Sequence, residues 1–302
     1  LVEEMESMGL EVRIDTVGNI VGRWTPPSAD PDLPPVATGS HLDSVPEGGI
    51  FDGPLGVYAS LETVRAMQES GIEPARPVEV VSFTEEEGQR FGGGMLGSAV
   101  ATGQQSVESA LALEDHDGVT LAEALETMGY RGEGRLDASE WDAWLELHVE
   151  QDTTLETESV PVGIVTTITG IGHYEAVVEG EANHAGATAM DERRDALAAA
   201  SEVVRDVERA AREVVATDSE TAVATVGRLE VSPNATNVVP GRAEMGIDVR
   251  DVRRDTMDHL VDRVQKSLHR VAEDRPVDVS FETELDVDPV PMSDRVREVA
   301  HR

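Results

Sequence analysis

Short apolar runs alternate with stretches of helical period through the first half of the chain. Residues 11–24, EVRIDTVGNIVGRW, alternate apolar and polar positions on either side of Gly18-Asn19, the pattern of two strands joined by a turn. VATGSHLD, residues 36–43, is a short β-rich run ending in glycine and polar residues. Leu55 to Met67 carries apolar residues at helical spacing, and RPVEVVSF, residues 76–83, reads as a buried strand that stops at TEEEG. AWLELHVEQ, residues 143–151, is a further predicted strand with His148 near its end, and the polar stretch from 100 to 140 reads as helix and loop. Strands separated by helices predict an α/β domain, a mostly parallel mixed sheet flanked by helices.

From 170 to 287 the rhythm changes. HYEAVVEGEA is a strand, DERRDALAAASEVVRDVERAAREVV a long amphipathic helix, TAVATVGRLEV and RAEMGIDVRDV two strands, TMDHLVDRVQKSLHRVAED a helix and VDVSFETEL a last strand. The order β-α-β-β-α-β is that of a ferredoxin-like sandwich. It is complete in itself, so the expectation is a domain of residues 170–287 inserted into a first domain of residues 1–169. Residues 288–302 would begin the return to that first domain.

Composition narrows the function classes. The chain has 302 residues and no cysteine, which excludes disulfides, thiolate metal sites and cysteine nucleophiles. No apolar run approaches the ~20 residues of a membrane helix. The opening LVEEMESMGLEVR lacks the basic and apolar segments of a signal peptide, so the expected location is the cytoplasm. Sixty acidic residues against 24 basic ones give a net charge of −36. A single lysine, Lys266, stands among the basic residues; the rest are arginines. A surface this acidic repels nucleic-acid phosphates and anionic lipid headgroups, and both are excluded as partners. Pervasive acid with scarce lysine fits a halophilic protein, in which concentrated salt screens the self-repulsion.

Candidate chemistry lies where the predicted strands end, the place where α/β sheets bind ligands. His41 and Asp52 follow VATGS, Glu86 or Glu87 follows VEVVSF, and His148 sits in LELH. Imidazole and carboxylate donors from separate rigid supports suit a zinc-type centre with an open position. One aspartate can bridge two metals, and a neighbouring carboxylate can take a proton from water. Asp43 is placed to hold the His41 imidazole from behind. Singly these signals are weak: EEE in so acidic a chain is ordinarily a solvated face, and one histidine at a strand end is ordinarily structural. In combination they predict that His41, Asp52, Glu87 and His148 converge at the carboxyl edge of one sheet.

The stretches GSHLDSVPEGGIFDGPLGV, FTEEEGQRFGGGMLGS, LELHVEQDTTLE, NHAGATAMDERRDALAAA and NATNVVPGRAEMGIDVRD together resemble the hydantoinase/carbamoylase amidases of the M20 metallopeptidase superfamily. That group holds N-carbamoyl-L-amino-acid hydrolases and allantoate amidohydrolases, and the resemblance runs over essentially the whole chain. It implies two divalent metal ions, zinc first, with manganese, cobalt and nickel also compatible with the donors. His41, Asp52 and His148 would bind one metal, Asp52 would bridge to a second held by Glu87, and Glu86 would be the general base. The inserted domain would be a lid through which two copies dimerise. Its His184 would stabilise the developing oxyanion, in the partner's active site. Asn237 would bind substrate, Arg250 would clamp the carboxylate of a small-molecule substrate, and Gln151 would contact its ureido or amide group.

The chain departs from the family pattern in three places. Asp152 stands where glycine is usual, and ATAM replaces TTPM beside His184. The family's further histidine, in a GHDA-like motif, lies beyond the stretch matching residues 288–302. The expectation is therefore a truncated catalytic domain with a weakened second metal site, and an uncovered sheet edge near residues 76–83. The implied activity is hydrolysis of a C–N bond other than a peptide bond. The alternatives are a dipeptidase, an N-acyl-amino-acid deacylase, or a non-catalytic remnant that dimerises.

Overall fold

Asp15 and Asn19 turn the first alternating segment into an antiparallel hairpin. Its strands are β1 (Glu11–Ile14) and β2 (Ile20–Trp24), preceded by helix α1 (Val2–Ser7). Both Asp15 carboxylate oxygens accept bonds: Oδ1 from the Val17 and Asn19 amides, Oδ2 from the Asn19 side chain and the Leu136 amide. The computed structural model describes all residues from Leu1 to Arg302, in two units, Leu1–Pro161 and Val162–Arg302. No helix is long and apolar enough to cross a membrane.

In the first unit, β1 and β2 join β3 (Val36–His41), β4 (Val78–Phe83) and β5 (Ala143–Leu145) in one sheet of order β1-β2-β4-β3-β5. β4 runs parallel to β3, and β3 parallel to β5, while β2 is antiparallel to both β1 and β4. The sheet is thus evenly mixed and not mostly parallel, because the hairpin docks head to tail against β4. β4 is interior, so residues 76–83 are not an edge; the edges are β1 and β5. The expected strand at 143–151 also proves short. Only Ala143 to Leu145 pair with β3, and the segment carrying Glu146 and His148 runs on beyond the ladder.

Alternation along β4 puts Val80 and Val81 on opposite faces, each completely buried. Val80 packs with Met5, Leu10, Trp24, and with Leu61 and Val64 of α2 (Pro54–Ser70). Val81 packs with Val21, Ala37, Ala101 and Leu136, beside Phe83, Trp141 and Trp144. Helices α3 (Leu96–Ala101), α4 (Val107–Leu111) and α5 (Leu121–Met128) form a further cluster around Val17 and Phe91, and α6 (Thr154–Glu158) follows β5. α5 begins with a reciprocal Thr120–Glu123 capping box.

The second unit opens with β6 (Thr167–Ile168), β7 (Gly170–Glu179) and β8 (Asn183–His184). It continues through α7 (Ala196–Thr217), β9 (Val223–Ser232), β10 (Val238–Val239) and β11 (Arg242–Asp251). α8 (Arg254–Asp274), β12 (Asp278–Val287), β13 (Val290–Pro291) and α9 (Asp294–Ala300) complete it. Its main sheet is wholly antiparallel, of order β12-β7-β11-β9. Alternate residues of β11, Ala243, Met245, Ile247 and Val249, point into a core shared with α7 and α8. The opposite face of the sheet carries a ladder of ion pairs, including Arg242–Glu179, Arg228–Glu175 and Arg250–Asp248. This unit begins at Val162, ahead of the expected boundary at 170. Residues 288–302 lie within it, since β13 pairs with β6.

Candidate metal centre

His41 is the last residue of β3 and is 2% exposed. Its ring lies against Gly53, where an added Cβ would come within 2.4 Å of Nδ1 and where φ is +77°. Only glycine serves both conditions there. Nδ1 lies 2.9 Å from the Asp43 carbonyl oxygen. A carbonyl only accepts, so Nδ1 carries a proton, and Nε2 is the nitrogen that offers a lone pair when the ring is neutral. The Asp43 carboxylate is farther from the ring, at 3.6 Å, and its other oxygen accepts the Glu87 amide at 2.9 Å. Asp43 therefore supports His41 with both its carbonyl and its carboxylate, and its side chain also holds the acidic loop.

His148 repeats the arrangement. Its Nδ1 is 3.0 Å from the Val149 carbonyl, and its Nε2 faces Asp52 Oδ1 at 3.1 Å. The two imidazoles lie 5.9 Å apart, centre to centre. Donor atoms of His41, Asp52 and His148 all fall within 4.8 Å of one another. A second group within the same limit joins His41, Glu86 and Glu87, with His41 Nε2 3.8 Å from Glu86 Oε2. The four residues expected to converge are thus gathered beside the ends of β3 and β4. The member common to both groups is His41, whereas the resemblance made Asp52 the bridge. The cause is local: Asp52 Oδ2 accepts a bond from Gln151 Nε2 at 3.0 Å while Oδ1 faces His148.

Electrostatics bind the cluster together. Burial pulls the His41 imidazole down, but the bonds to the Asp43 side chain and backbone, with the charges of Glu86 and Asp43, outweigh it. The His41 pKa is pushed up to about 9. Burial raises Glu86 above the ordinary carboxylate range, His41 opposes the rise, and Glu87, Asp43 and Glu146 add to it. Asp43 is raised by burial, yet ends below its ordinary value through the His41 bond and the Glu87 and Glu86 amides.

Two residues overlooked in the sequence take part. Glu146 accepts a bond from Ser40 Oγ at 2.6 Å and contributes its charge to Glu86. The available signal was its position two residues before His148, the spacing that puts alternate residues of an extended chain on one side. Glu85, the remaining member of the acidic triplet, folds back on its own loop, Oε1 accepting the Arg90 and Phe91 amides at 2.5 and 3.0 Å.

In the second unit, His184 and Asn237 lie side by side. β8 and β10 pair His184 with Val238, and the Ala185 amide bonds to the Asn237 carbonyl. Arg250 is elsewhere. It occupies the far end of β11, paired with Ile171, whereas the chain leaving β10 enters β11 at Arg242. Eight antiparallel residues span about 27 Å. The Arg250 guanidinium grips Asp248 through Nε and Nη2, at 2.9 and 2.8 Å, and Asp248 also bonds His173. The ion pair with Asp248 is therefore the arrangement present.

Residues 37–284 match the model of peptidase family M20/M25/M40. The chain belongs to that family. The M20 chain is 40% identical to N-carbamoyl-L-amino acid amidohydrolase of Geobacillus stearothermophilus, over 99% of its own length and 72% of that protein. It is 37% identical to ureidoglycolate hydrolase of Arabidopsis thaliana, over 97% of its length and 62% of that protein. The crystal structure of a hydantoinase/carbamoylase family amidase from Burkholderia multivorans superposes with a TM-score of 0.91 at 37% identity. That match covers 100% of this chain and 73% of the other.

The donors of this M20 chain suit a divalent metal. Two ligands bound tetrahedrally at about 2.0–2.1 Å stand roughly 3.3 Å apart. The 3.1 Å between His148 Nε2 and Asp52 Oδ1 is close to that spacing. With Nδ1 protonated, Nε2 and the carboxylate face each other as two lone-pair donors, an arrangement that a cation or a second proton stabilises.

Proposed function

We propose that this M20 chain is a metal-dependent amidohydrolase that cleaves the C–N bond of N-carbamoyl amino acids, allantoate or related linear amides bearing a carboxylate. The observation that carries the proposal is the convergence of His41, Asp52 and His148 beside Glu86 and Glu87. His41, Asp52 and His148 would hold one divalent metal, zinc, manganese, cobalt or nickel, and Glu87 would serve a second. When bound, the metals supply Lewis acidity, polarising the scissile carbonyl and acidifying water. Glu86 takes the proton from the attacking water and delivers it to the departing nitrogen. A carboxyl raised by burial suits both steps. Gln151, which donates to Asp52 Oδ2, would contact the amide or ureido group. Glu85 and Asp43 hold the loop that carries the two working glutamates.

Arg250 would clamp the substrate carboxylate, exchanging part of its contact with Asp248 for the ligand. His184 and Asn237 would serve a different active site from the one Arg250 of the same chain serves. The separation of β10 from the far end of β11 supports this, since one small molecule does not bridge it. Each lid would then contribute to two sites of a homodimer.

The test is release of ammonia and free amino acid from N-carbamoyl-L-amino acids, with allantoate in parallel, after loading with each of the four metals in molar potassium chloride. Turnover abolished by chelation and restored by metal is expected. Absence of turnover on the whole panel in all four metals would remove the amidohydrolase reading.

A further inference from the structure

The acidic loop is a doubled-back segment closed at its base. After β4 ends at Phe83 the chain runs out through Glu85, Glu86 and Glu87 and returns to α3 at Leu96. The Gly97 amide bonds to the Thr84 carbonyl at 2.8 Å, and the Met95 amide to the Glu86 carbonyl at 2.6 Å. At the foot of this pinch lies a side chain from another part of the sheet. Asn19, in the β1–β2 turn, is completely buried, and its amide reaches both strands of the loop. Oδ1 accepts the Thr84 amide at 3.0 Å, and Nδ2 donates to the Gly97 carbonyl at 3.1 Å. The second Nδ2 hydrogen goes to Asp15 Oδ2 at 3.0 Å, which fixes which end of the amide is oxygen and which is nitrogen. Asp15 is itself buried and tied to the Leu136 amide.

The approach is close enough to dictate its neighbours. A Cβ on Gly97 would come within 2.2 Å of Asn19 Oδ1 and 2.5 Å of the Thr84 amide nitrogen. Glycine at 97 is required for the side chain to reach the loop. Asn19 thus acts as an extra rung between the outgoing and returning strands, anchored on a buried carboxylate.

We infer that Asn19, held by Asp15, is a positioning residue that sets the Glu86 and Glu87 carboxylates against His41. It touches neither substrate nor metal; it acts through the loop. Beyond that base the loop is held by the Met95 amide on the Glu86 carbonyl, by Glu85 on the Arg90 and Phe91 amides, by the Arg90–Asp115 pair and by Asp43 on the Glu87 amide. The Thr84–Gly97 base is the end of the loop nearest Glu86 along the outgoing strand, two residues away, so a shift there carries to Glu86. Supporting groups of this kind change metal affinity about 10–100-fold when removed.

The inference rests on the assignment of Glu86 and Glu87 to the metal centre, and the test separates the two. Co2+ is titrated into the full chain, followed by calorimetry and by the visible absorption of the bound ion, for wild type, Asn19→Ala, Gly97→Ala and Glu87→Ala. Gly97→Ala drives a Cβ into the Asn19 amide without removing it, and serves should Asn19→Ala fail to fold. Val64→Ala, in the opposite core beneath α2, is the control for lost stability. Asn19→Ala and Gly97→Ala are expected to weaken Co2+ binding about tenfold or more and to alter the spectrum. Val64→Ala should lower the thermal midpoint and leave both unchanged. Wild-type affinity and spectrum in the folded Asn19 or Gly97 variant, or an equal loss in Val64→Ala, would overturn the positioning role. If Glu87→Ala itself leaves Co2+ binding untouched, the metal-site assignment fails instead.

Discussion

His148 Nε2 stands 3.1 Å from Asp52 Oδ1, although 96 residues of sequence separate them. Neither side chain has another strong partner on those atoms, and each is held from behind, His148 by the Val149 carbonyl and Asp52 by Gln151. His148→Ala and Asp52→Asn are each expected to weaken divalent-metal binding by more than the 10–100-fold that loss of a supporting group costs. Calorimetric titration checks this, and His148→Ala binding as wild type would remove His148 from the ligand set.

Metal affinity should depend on pH through His41. Its value is raised from 6.5 to about 9, so the fold favours the protonated imidazole. That contribution to stability is fully present below about pH 6.5 and is lost as pH rises towards 9. The metal-free protein is therefore expected to melt at a falling temperature across that window. A metal takes the neutral imidazole and displaces one proton, so its affinity should climb about tenfold per pH unit up to about pH 9. Titrations at pH 7, 8 and 9 decide the point; an affinity flat over this range would contradict it.

Much of this was legible in advance. Alternation located the β1–β2 hairpin, β3 and β4, and helical spacing located α2, α7 and α8, because each buries a clean apolar stripe. The positions of His41, Asp52, Glu86 and His148 beside strand ends were readable because ligands gather there. Strand direction was not readable. Nothing local in EVRIDTVGNIVGRW says that β2 will lie antiparallel to β4, since pairing depends on partners distant in sequence. β5 was overextended because Glu146 and Leu147 continue a strand-like pattern after the ladder has ended. The roles of Asn19 and Glu85 were hidden for a similar reason: their partners are backbone amides, which leave no mark in composition.

Glu86→Gln should separate catalysis from binding. The substitution keeps the shape of the side chain and removes the base. Turnover is expected to fall about 10²–10⁴-fold while metal content stays at the wild-type level. Loss of metal together with activity would make Glu86 a ligand, as its grouping with His41 and Glu87 permits.

Salt should stabilise the protein. A net charge of −36 repels itself in dilute buffer, and most of the ion pairs lie on exposed surface, where each contributes little. The thermal midpoint in molar potassium chloride is expected to exceed that in dilute buffer by more than about 4 °C, roughly 1 kcal/mol for domains of this size. Equal midpoints would set aside the halophilic reading and leave the enzymatic one intact.

If Arg250 and His184 serve different active sites, two inactive variants should rescue each other. In a random mixture of His184→Ala and Arg250→Ala subunits, half the dimers are mixed and one site in each is whole. Activity of about a quarter of wild type is expected. No recovery, in a mixture shown to exchange subunits, would place both residues in one site or in none.

The most direct test of the central claim is the environment of a bound metal. Co2+ loaded into wild type and into Asp52→Asn, read by X-ray absorption at the cobalt edge, reports the donors themselves. In wild type, imidazole nitrogens and carboxylate oxygens are expected at about 2.0–2.2 Å. Asp52→Asn should lose the ion or its carboxylate contribution. A wild-type spectrum showing only oxygen donors, or one unchanged in Asp52→Asn, would contradict a metal held by His41, Asp52 and His148.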